Sequence, residues 1–592
     1  MSFLFQTYAK TSVSLPPKNL ITNQENSEWI VQKFGGTSVG KFLEVIAENI
    51  VKIYLKSNRI AIVCSARSGE TKAKGTTNRL LQAAEQAHLQ DSKKYIDLVD
   101  EIKKDHIEAS RDLIKNKEIL KDLEECLEKD CDKLKSFLEA VQTIEEISPR
   151  SKDNIIGVGE KLSCRVVTAV LIDKVKLKIY AELVCLDNII DHNEFDSNNL
   201  DQNFYNHLAN RISEAVKNIG CGRVPVITGY FGRIPGGLLN NIGRGYTDLC
   251  AALLAVGLKA EELQVWKEVD GIFTADPRKI TNARLLPVIS PEEAAELTYY
   301  GSEVIHPFTM EQVIKAKIPI RIKNVMNPLG KGTVISPESN DLLICQKLSY
   351  ENSYQHDIWR KHPTAVTIKN NIIVLNIHSN RKTLSHGFFA QIFATLDKYG
   401  IVVDLISTSE VHVSMALGAD IVERDLNKAM YELKKIGEVD ILEDMAILSL
   451  VGKQMKNMVG IAGKMFTTLA SSNVNIEMIS QGASEINISC VIDEKNADRA
   501  LKEIHEHLLN TPLNLLSSST TPSLSSSPLP QPLSFPSSFS VFNNNNDCGD
   551  NINNIISYGI SNNSTDIMDI SSNGISGSNG INIGINLGGG VG

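Results

Sequence analysis

The pattern of apolar and polar positions predicts that strands and helices alternate over the first half of the chain. Short apolar runs, typical of buried strands, end in clusters of Gly, Ser and Thr, after which Leu, Ile and Val recur at helical spacing. Such runs begin at Trp29, Arg59, Arg223 and Leu263. The alternation predicts one α/β domain with a mainly parallel sheet over residues 29–335.

Beyond residue 365 the predicted elements become shorter and repeat. Two successive units follow the order strand, helix, strand, strand, helix. The first unit has these elements at residues 372–377, 388–399, 402–408, 411–417 and 425–436, and the second has them at 446–451, 461–471, 475–480, 486–492 and 497–508. Segment 398–404 parallels segment 471–477, which indicates an internal repeat.

Both ends of the chain differ in composition from the rest. Residues 1–28 contain no arginine, so we predict a disordered leader; an organellar transit peptide is the alternative. From residue 511 to 592 there is no lysine or arginine, and Ser, Pro, Asn, Gly and Ile dominate. Such a segment cannot form a core that offsets its chain entropy, and we predict a disordered tail.

Composition and charge narrow the class of protein. The chain is 42% hydrophobic and 22% charged, as expected for a soluble globular protein. A formal net charge of −9 without a basic arm does not favour a nucleic-acid partner, and no apolar run is long enough to span a membrane. The ten cysteines lack paired CxxC spacing, which favours reduced thiols and a cytoplasmic location over a disulfide framework or a zinc site.

The most prominent candidate motif lies at the end of the first predicted strand. Lys33 is followed closely by Gly35, Gly36, Thr37 and Ser38, and a helical pattern begins at residue 41. Glycines allow close backbone approach, Thr37 and Ser38 are suited to cap the helix, and the lysine adds a positive charge. The motif predicts a phosphate site; an ordinary strand–turn–helix corner with an exposed lysine is the alternative.

Polar residues after later apolar runs extend this candidate site. Ser65 follows the second strand, and Thr77 lies where a further helix opens. Glu160 follows two glycines at a predicted helix start, where it suits a ligand's ammonium group or an ordinary helix dipole. Arg244 lies between two glycines and offers a guanidinium fork to an anion, and Asp248 is predicted in the first turn of the next helix.

Five motifs in one order resemble the aspartokinase family, which has the amino-acid-kinase fold. They are KFGGTSVG, GEKLS, GRGYTDL, WKEVDGIFTADPR and GSEVIHPFTMEQVIKAKIPIRIKN. The resemblance extends over residues 29–509 and is greatest to the monofunctional fungal enzymes. Bacterial members usually have GRGGSD where this chain has GRGYTD, so Tyr246 and Thr247 depart from the commoner pattern while Arg244 and Asp248 match it.

The resemblance implies a domain plan. An α/β amino-acid-kinase domain is expected over residues 29–340, and a linker over 341–364. Two ferredoxin-like ACT domains, which sense amino acids, are expected over 365–445 and 446–510. Paired ACT domains imply a homodimer or a higher homo-oligomer.

The reaction implied by the resemblance is transfer of the ATP γ-phosphoryl group, with Mg²⁺, to the β-carboxylate of L-aspartate. The product would be 4-phospho-L-aspartate, at the first step toward threonine, methionine and, in some organisms, lysine. A carboxylate with a pKa of about 3.9 is ionised at neutral pH, so it needs no general base. The enzyme must instead position two anions and neutralise their charge.

The resemblance also assigns roles to residues. Glu160 is expected to hold the substrate's α-ammonium group and Arg244 its α-carboxylate, with Thr77 in the same pocket. Lys33, Arg244 and Asp248 are the expected catalytic residues, Asp248 orienting either Lys33 or the metal shell. No protein ligand to a metal is predicted. The expected ATP-binding residues are Lys33, Phe34, Gly35, Gly36, Thr37, Ser38, Ser65, Lys267, Glu268, Phe273, Arg278, Glu303 and Val304.

An effector site is expected in the first ACT domain, with threonine as the effector and lysine as the alternative. A helix N-terminus there would bind the effector's carboxylate and Asp404 its ammonium group. The alternative is that these residues only build the domain core and the dimer interface. The expected residues are Ser385, Gly387, Phe388, Phe389, Val403, Asp404, Ser409 and Glu410.

Two other functions compete with this interpretation. A regulatory protein without activity would have lost Lys33, Glu160, Arg244 or Asp248, and all four are present. A different amino-acid or carbamate kinase of the same fold would not require the paired ACT domains or the Glu160–Arg244 pair.

Overall fold

The first sheet is centred on an apolar strand whose residues are all buried. Its strands are β1 (Trp29–Phe34), β2 (Arg59–Cys64), β3 (Ala181–Val184), β4 (Val224–Thr228), β5 (Glu262–Lys267), β6 (Val288–Ile289), β7 (Ile320–Asn324) and β8 (Thr333–Ile335). They lie in the order β3-β4-β2-β1-β5-β7-β8-β6. All neighbours are parallel except β7 and β8. The prediction of a mainly parallel sheet is confirmed.

Helices cover both faces of this sheet. They are α1 (Gly36–Lys41), α2 (Leu43–Val45), α3 (Lys52–Tyr54), α4 (Thr76–His88), α5 (Lys94–Leu113), α6 (Lys117–Ile144), α7 (Pro149–Asp173), α8 (Gln202–Lys217), α9 (Leu238–Asn241), α10 (Tyr246–Leu258), α11 (Pro291–Tyr299) and α12 (Pro307–Lys315). Alternate residues of β1 enter opposite cores, Val31 packing with α8 and α10 and Ile30 with α4 to α7. Because both faces of the sheet are covered, residues on both sides of β1 are apolar, four of its six in all.

The second sheet is antiparallel and contains two long strands. Its elements are β9 (Ala365–Ser379), α13 (Phe388–Lys398), β10 (Val403–Thr408), β11 (His412–Gly418), α14 (Glu423–Leu433), β12 (Gly437–Val451), α15 (Ile461–Ser471), β13 (Met478–Ser480), β14 (Asn487–Asp493) and α16 (Ala497–Ile504). The strand order is β10-β11-β9-β12-β14-β13. Strands β9 and β12 pair along nearly their whole length, so one continuous sheet holds both repeats.

The pairing of β9 with β12 shifts register twice near its middle. One residue of each strand there has a positive φ, Asn371 at 56° and Asp444 at 55°. The residues of β9 that face the helices are even-numbered on one side of the bulge and odd-numbered on the other. In β9 they are Val366 on one side of the bulge and Leu375 on the other.

The computed structural model describes residues 20–24, 26–69, 74–89, 91–173, 178–190, 201–232, 234, 236–299, 305–337, 362–379, 387–418, 421–482 and 486–510. No helix in these ranges is long and apolar enough to cross a membrane. The tail from residue 511, most of the linker and residues 1–19 of the leader lie outside them. Within the leader, Asn23 is buried and exchanges two hydrogen bonds with Ile60 of β2, so the fold begins before residue 29. The boundary predicted at 445/446 falls inside β12.

Candidate active site

Strand β1 lies between β2 and β5, so the chain leads away from it toward both halves of the sheet. Such a switch point opens a crevice at the carboxyl edge of a parallel sheet, where ligands bind. The loops at this edge follow Phe34, Cys64, Thr228 and Lys267. Several of the predicted site residues lie on these loops or directly beside them.

Glycines build the turn after β1 because a neighbouring backbone lies against it. A Cβ on Gly36 would lie 2.4 Å from the carbonyl oxygen of Ala66, and the amide of Ser68 donates to the carbonyl of Gly36 at 2.9 Å. Gly35 is open by contrast, since the nearest atom to a Cβ there would be Lys33 Nζ at 3.9 Å. The lysine ammonium group therefore lies over the glycine turn.

The helix after this turn begins at Gly36 and not at residue 41. Gly35 is its N-cap, and no side chain caps it, so the prediction that Thr37 and Ser38 cap the helix was wrong. The flexible glycines let the chain enter the helix directly from the strand, which leaves both hydroxyl residues inside the first turn. The Ser38 hydroxyl donates instead to Glu268 Oε1 at 2.8 Å.

Lys33 and Asp248 form an ion pair across the site. Lys33 Nζ lies 2.7 Å from Asp248 Oδ1, and their side chains are 10% and 16% exposed. Asp248 lies in the first turn of α10, as predicted. The contact favours the first of its two expected roles, orienting Lys33.

Glu160 lies in the middle of a helix, since α7 begins at Pro149. The prediction that it stands at a helix start was wrong, because the two preceding glycines are helical and serve close packing. A Cβ on Gly157 would lie 2.5 Å from the ring of Tyr230, and one on Gly159 would lie 2.8 Å from a side chain of α4. The glycines let α7 approach the sheet closely enough to place Glu160 at its edge.

The Glu160 carboxylate is 1% exposed and only partly satisfied. Thr247 donates its hydroxyl to Glu160 Oε1 at 2.7 Å, whereas Oε2 has no hydrogen-bond partner among the described residues. Burial raises the pKa of Glu160 to about 7, although the nearby hydroxyl groups of Thr247 and Tyr246, the Tyr230 backbone and the charge of Lys33 oppose the rise. A buried carboxylate with an unpaired oxygen is suited to receive a ligand's ammonium group.

The second glycine-rich loop leads into α10. Arg244 lies on the 3₁₀ turn Gly243–Gly245, where the structure describes only its backbone. Thr77 is the second residue of α4, and its neighbour Thr76 packs against α7 at the residue before Glu160. The structure thus brings Thr77, Glu160 and the Arg244 backbone to one end of the sheet.

A cleft of about 220 Å³ opens beside Phe273, at the carboxyl ends of β5 and β7. Asn324 and Asn327 both donate to Asp270 Oδ1 there, each at 3.2 Å. Phe273 thus lines this cleft. The three polar residues were not predicted.

The other residues predicted to bind ATP lie in different surroundings. Lys267 ends β5 and Glu268 follows it. The Arg278 guanidinium is 87% exposed and binds Asp276 at 2.8 Å, so an intraloop ion pair already occupies it. Glu303 and Val304 lie outside the described residues.

Two residues of the site to which the sequence analysis assigned no role carry weak local signals. Thr247 precedes Asp248 in the first turn of an apolar helix, where a hydroxyl faces the same site. Asn324 is the last residue of β7, at the edge where parallel strands present ligand-binding groups. Their hydrogen-bond partners, Glu160 for Thr247 and Asp270 for Asn324, are distant in sequence, so local patterns could not predict their roles.

The predicted effector residues lie at two ends of β10. Asp404, with a side chain 6% exposed, pairs with Lys369 at 2.7 Å. Ser409 and Glu410 lie in the turn after β10, about 16 Å away for five residues of strand. One amino acid therefore cannot contact Asp404 and this turn in the same protomer.

The remaining effector residues lie at or beside the start of α13. Gly387 is the N-cap with φ of 85°, and Phe388 is buried while Phe389 is 39% exposed. Val403 begins β10. Ser385 lies outside the described residues.

Comparisons with known proteins agree with this geometry. A model of the amino acid kinase family matches residues 28–324, and an ACT domain model matches residues 448–508. The aspartokinase of Schizosaccharomyces pombe is 55% identical over 494 residues, covering 83% of this chain and 94% of that protein.

Two solved structures are similar over most of the chain. E. coli aspartokinase III in complex with aspartate and ADP is 26% identical with a TM-score of 0.62, covering 81% of this chain and 100% of the other. The same enzyme in complex with lysine and aspartate is 26% identical with a TM-score of 0.63, covering 82% and 100%.

Proposed function

The chain belongs to the aspartokinase family and is an aspartate kinase, and we propose that it converts L-aspartate and ATP to 4-phospho-L-aspartate and ADP. The observation that carries this proposal is the pair of neighbours Thr247 and Asp248. Thr247 binds the carboxylate of Glu160, and Asp248 binds the ammonium group of Lys33. One helical turn therefore sets the distance between a site for a substrate's ammonium group and a site for a phosphate.

The unpaired oxygen of Glu160 would receive the substrate's α-ammonium group, and Arg244 its α-carboxylate. The side-chain carboxylate then points toward Lys33 and the glycine turn. Its oxygen attacks the γ-phosphorus as the bond from that phosphorus to ADP breaks. No proton has to be removed, because the nucleophile is already ionised. Lys33, with the backbone N–H groups of the turn, would neutralise the transferring group.

The nucleotide would extend from the glycine turn to the cleft beside Phe273. The space there and the closeness of Lys33 Nζ to Gly35 fit a triphosphate with its base in the cleft. Mg²⁺ would enter with ATP, and the Glu268 carboxylate beside Ser38 is a suitable oxygen ligand for it. The ion would supply charge neutralisation between the phosphates.

Regulation through the ACT repeats is part of the proposal. The lysine complex of the E. coli enzyme supports an amino-acid effector, and for this chain we favour threonine over lysine. Strand β10 is an edge of its sheet, with Ile406 exposed, so a second copy could pair there and complete the effector site in a homodimer. The enzyme would work in the cytoplasm at the head of threonine and methionine synthesis.

An assay of ADP release with aspartate, glutamate and other amino acids tests the proposed reaction. We expect turnover with aspartate, and trapping of the acyl phosphate by hydroxylamine as a hydroxamate. The Glu160→Gln variant serves as the matched control, since it removes one charge without changing the side chain's shape. Equal turnover with glutamate, or ADP release without hydroxamate, would contradict the proposal.

A further inference from the structure

The segment that carries Phe273 is built against the second sheet. We call residues 268–287, between β5 and β6, the nucleotide loop. Ala275 and Ile280 of this loop are each 4% exposed and share a core with Met465 and Leu501 of the second ACT repeat. The amide of Val366, in β9, donates to the carbonyl oxygen of Thr274 at 2.8 Å. The regulatory part of the chain thus forms one wall of the loop.

A buried histidine makes the most specific contact in this wall. His505 begins a π-helical turn directly after α16 and is 0% exposed. Its Nε2 lies 2.9 Å from Thr274 Oγ1, and its Nδ1 has no partner among the described residues. The Thr274 hydroxyl also accepts the amide N–H of Arg284 at 3.0 Å, so it ties both arms of the loop together.

One further part-buried contact joins the loop to the ACT repeat, in which the Arg284 guanidinium donates to the carbonyl oxygen of Leu509 at 2.8 Å. Two other contacts are exposed. Lys279 pairs with Asp498 at 2.7 Å, and Asn282 donates to Glu506 at 3.1 Å. Exposed contacts of this kind contribute little, because water competes for both partners. Loss of the His505 contact, in contrast, would leave buried polar atoms unsatisfied.

We infer that His505 is a positioning residue for ATP, which fixes the nucleotide loop through Thr274. Phe273 and Thr274 are neighbours, and Phe273 forms an antiparallel bridge with Leu285. Neighbours in extended backbone face opposite sides, so holding Thr274 on the ACT repeat directs Phe273 into the cleft. The inference rests on the proposed function, since it assumes that this cleft holds the nucleotide.

Matched variants at both ends of the contact test this role. His505→Leu removes the hydrogen bond to Thr274 while keeping apolar volume. Thr274→Val removes this bond together with the one that Thr274 accepts from the Arg284 amide. His505→Gln and Thr274→Ser keep a polar group within reach. His507→Gln is the control, since His507 lies two residues further on and its side chain is 62% exposed. KM for ATP, KM for aspartate, kcat and the unfolding temperature are measured for each variant.

We expect KM for ATP to rise about tenfold in His505→Leu and in Thr274→Val, as for one buried hydrogen bond. KM for aspartate should stay within twofold, and the Gln and Ser variants should restore most of the loss. If His505→Leu does not fold, the inference is tested by comparing KM for ATP between Thr274→Val and Thr274→Ser. An unchanged KM for ATP, or an equal rise in both KM values, would overturn the inference.

A Phe273→Ala variant separates this inference from the proposed function. If Phe273→Ala raises KM for ATP and the His505 and Thr274 variants do not, only the positioning role fails. If Phe273→Ala also leaves KM for ATP unchanged, the nucleotide lies elsewhere and both proposals for this cleft fail.

Discussion

The ammonium nitrogen of Lys33 lies 2.7 Å from a carboxylate oxygen of Asp248, which joins the central strand to the first turn of the buried helix α10. Both side chains are largely shielded from water, so each charge depends on the other. Removing one partner leaves an uncompensated charge, which costs more than the pair contributes. The pair therefore holds the lysine in a fixed direction over the glycine turn.

Lys33→Ala should lower kcat at least about 100-fold, because a preorganised positive charge is lost beside the transferring phosphoryl group. Steady-state kinetics at saturating ATP and aspartate measure the effect. Lys41→Ala is the matched control, since Lys41 is an exposed lysine at the end of α1. Near-normal turnover in Lys33→Ala would remove this lysine from the mechanism.

Substrate binding should depend on the protonation of Glu160. Its pKa is raised to about 7 by burial, so the carboxylate becomes fully charged only above neutral pH. We expect KM for aspartate to fall as pH rises from about 6 to 8. In Glu160→Gln, KM should be high and nearly constant over this range. A parent enzyme whose KM for aspartate does not change with pH would contradict the role of Glu160.

The contribution of Glu160 to the free energy of unfolding should decrease as pH rises. The pKa of Glu160 is higher in the folded protein than in the unfolded chain, so the stabilisation from its proton is present at acid pH. It is lost as pH rises from about 4.5 to about 7, by roughly 3 kcal/mol in all, of which about 2 kcal/mol is lost above pH 5.5. Glu160→Gln should therefore gain stability over the parent at pH 8 relative to pH 5.5, as measured by urea unfolding. If the two proteins differ in free energy of unfolding by the same amount at both pH values, the pKa of Glu160 is not raised in the folded protein.

Gly157→Ala should destabilise the protein by about 1–3 kcal/mol, because the new Cβ would lie 2.5 Å from the Tyr230 ring. Gly463→Ala is the control within another helix. A Cβ there meets no atom within 4 Å, so alanine should stabilise α15 by about 0.5–1 kcal/mol. Thermal unfolding compares the two variants. A stabilised Gly157→Ala protein would mean that α7 does not pack on Tyr230 as described.

Substitutions of Asp404 and Lys369 test the effector site, because they should change the concentration of effector needed for half-inhibition in opposite directions. If Asp404 receives the ammonium group of threonine, Asp404→Asn should raise the concentration needed for half-inhibition. Lys369→Met should lower it, because the carboxylate loses its internal partner. Inhibition curves with threonine and lysine measure both variants, and uninhibited activity should stay nearly constant. Unchanged curves for Asp404→Asn would move the effector site elsewhere.

The fold and the family could be predicted because their signals are local. Apolar runs followed by glycine-rich loops mark the strands of the first sheet, and five motifs in order identify the aspartokinase family, which the comparisons confirm. The position of Asp248 was also predictable, since an almost wholly apolar helix directly follows it.

What could not be predicted depends on contacts between distant segments. Glu160 was placed at a helix start because its glycines resemble a turn, while the helix in fact begins at Pro149, a residue type favoured at that position. The burial of Asp404 follows from Lys369, which lies on another strand. Likewise the contact of Thr274 with His505 spans 231 residues and leaves no local pattern.

The two bulges at Asn371 and Asp444 decide which way the regulatory sheet faces. Helix-facing residues are even-numbered in one half of β9 and odd-numbered in the other, Val366 and Leu375 being examples. A strand without an extra residue keeps one parity throughout, since its side chains alternate strictly. Deleting Asn371 would therefore do more than shorten a strand by one residue. It would turn the helix-facing apolar residues of one repeat to the opposite face of the sheet, away from the helices that now cover them.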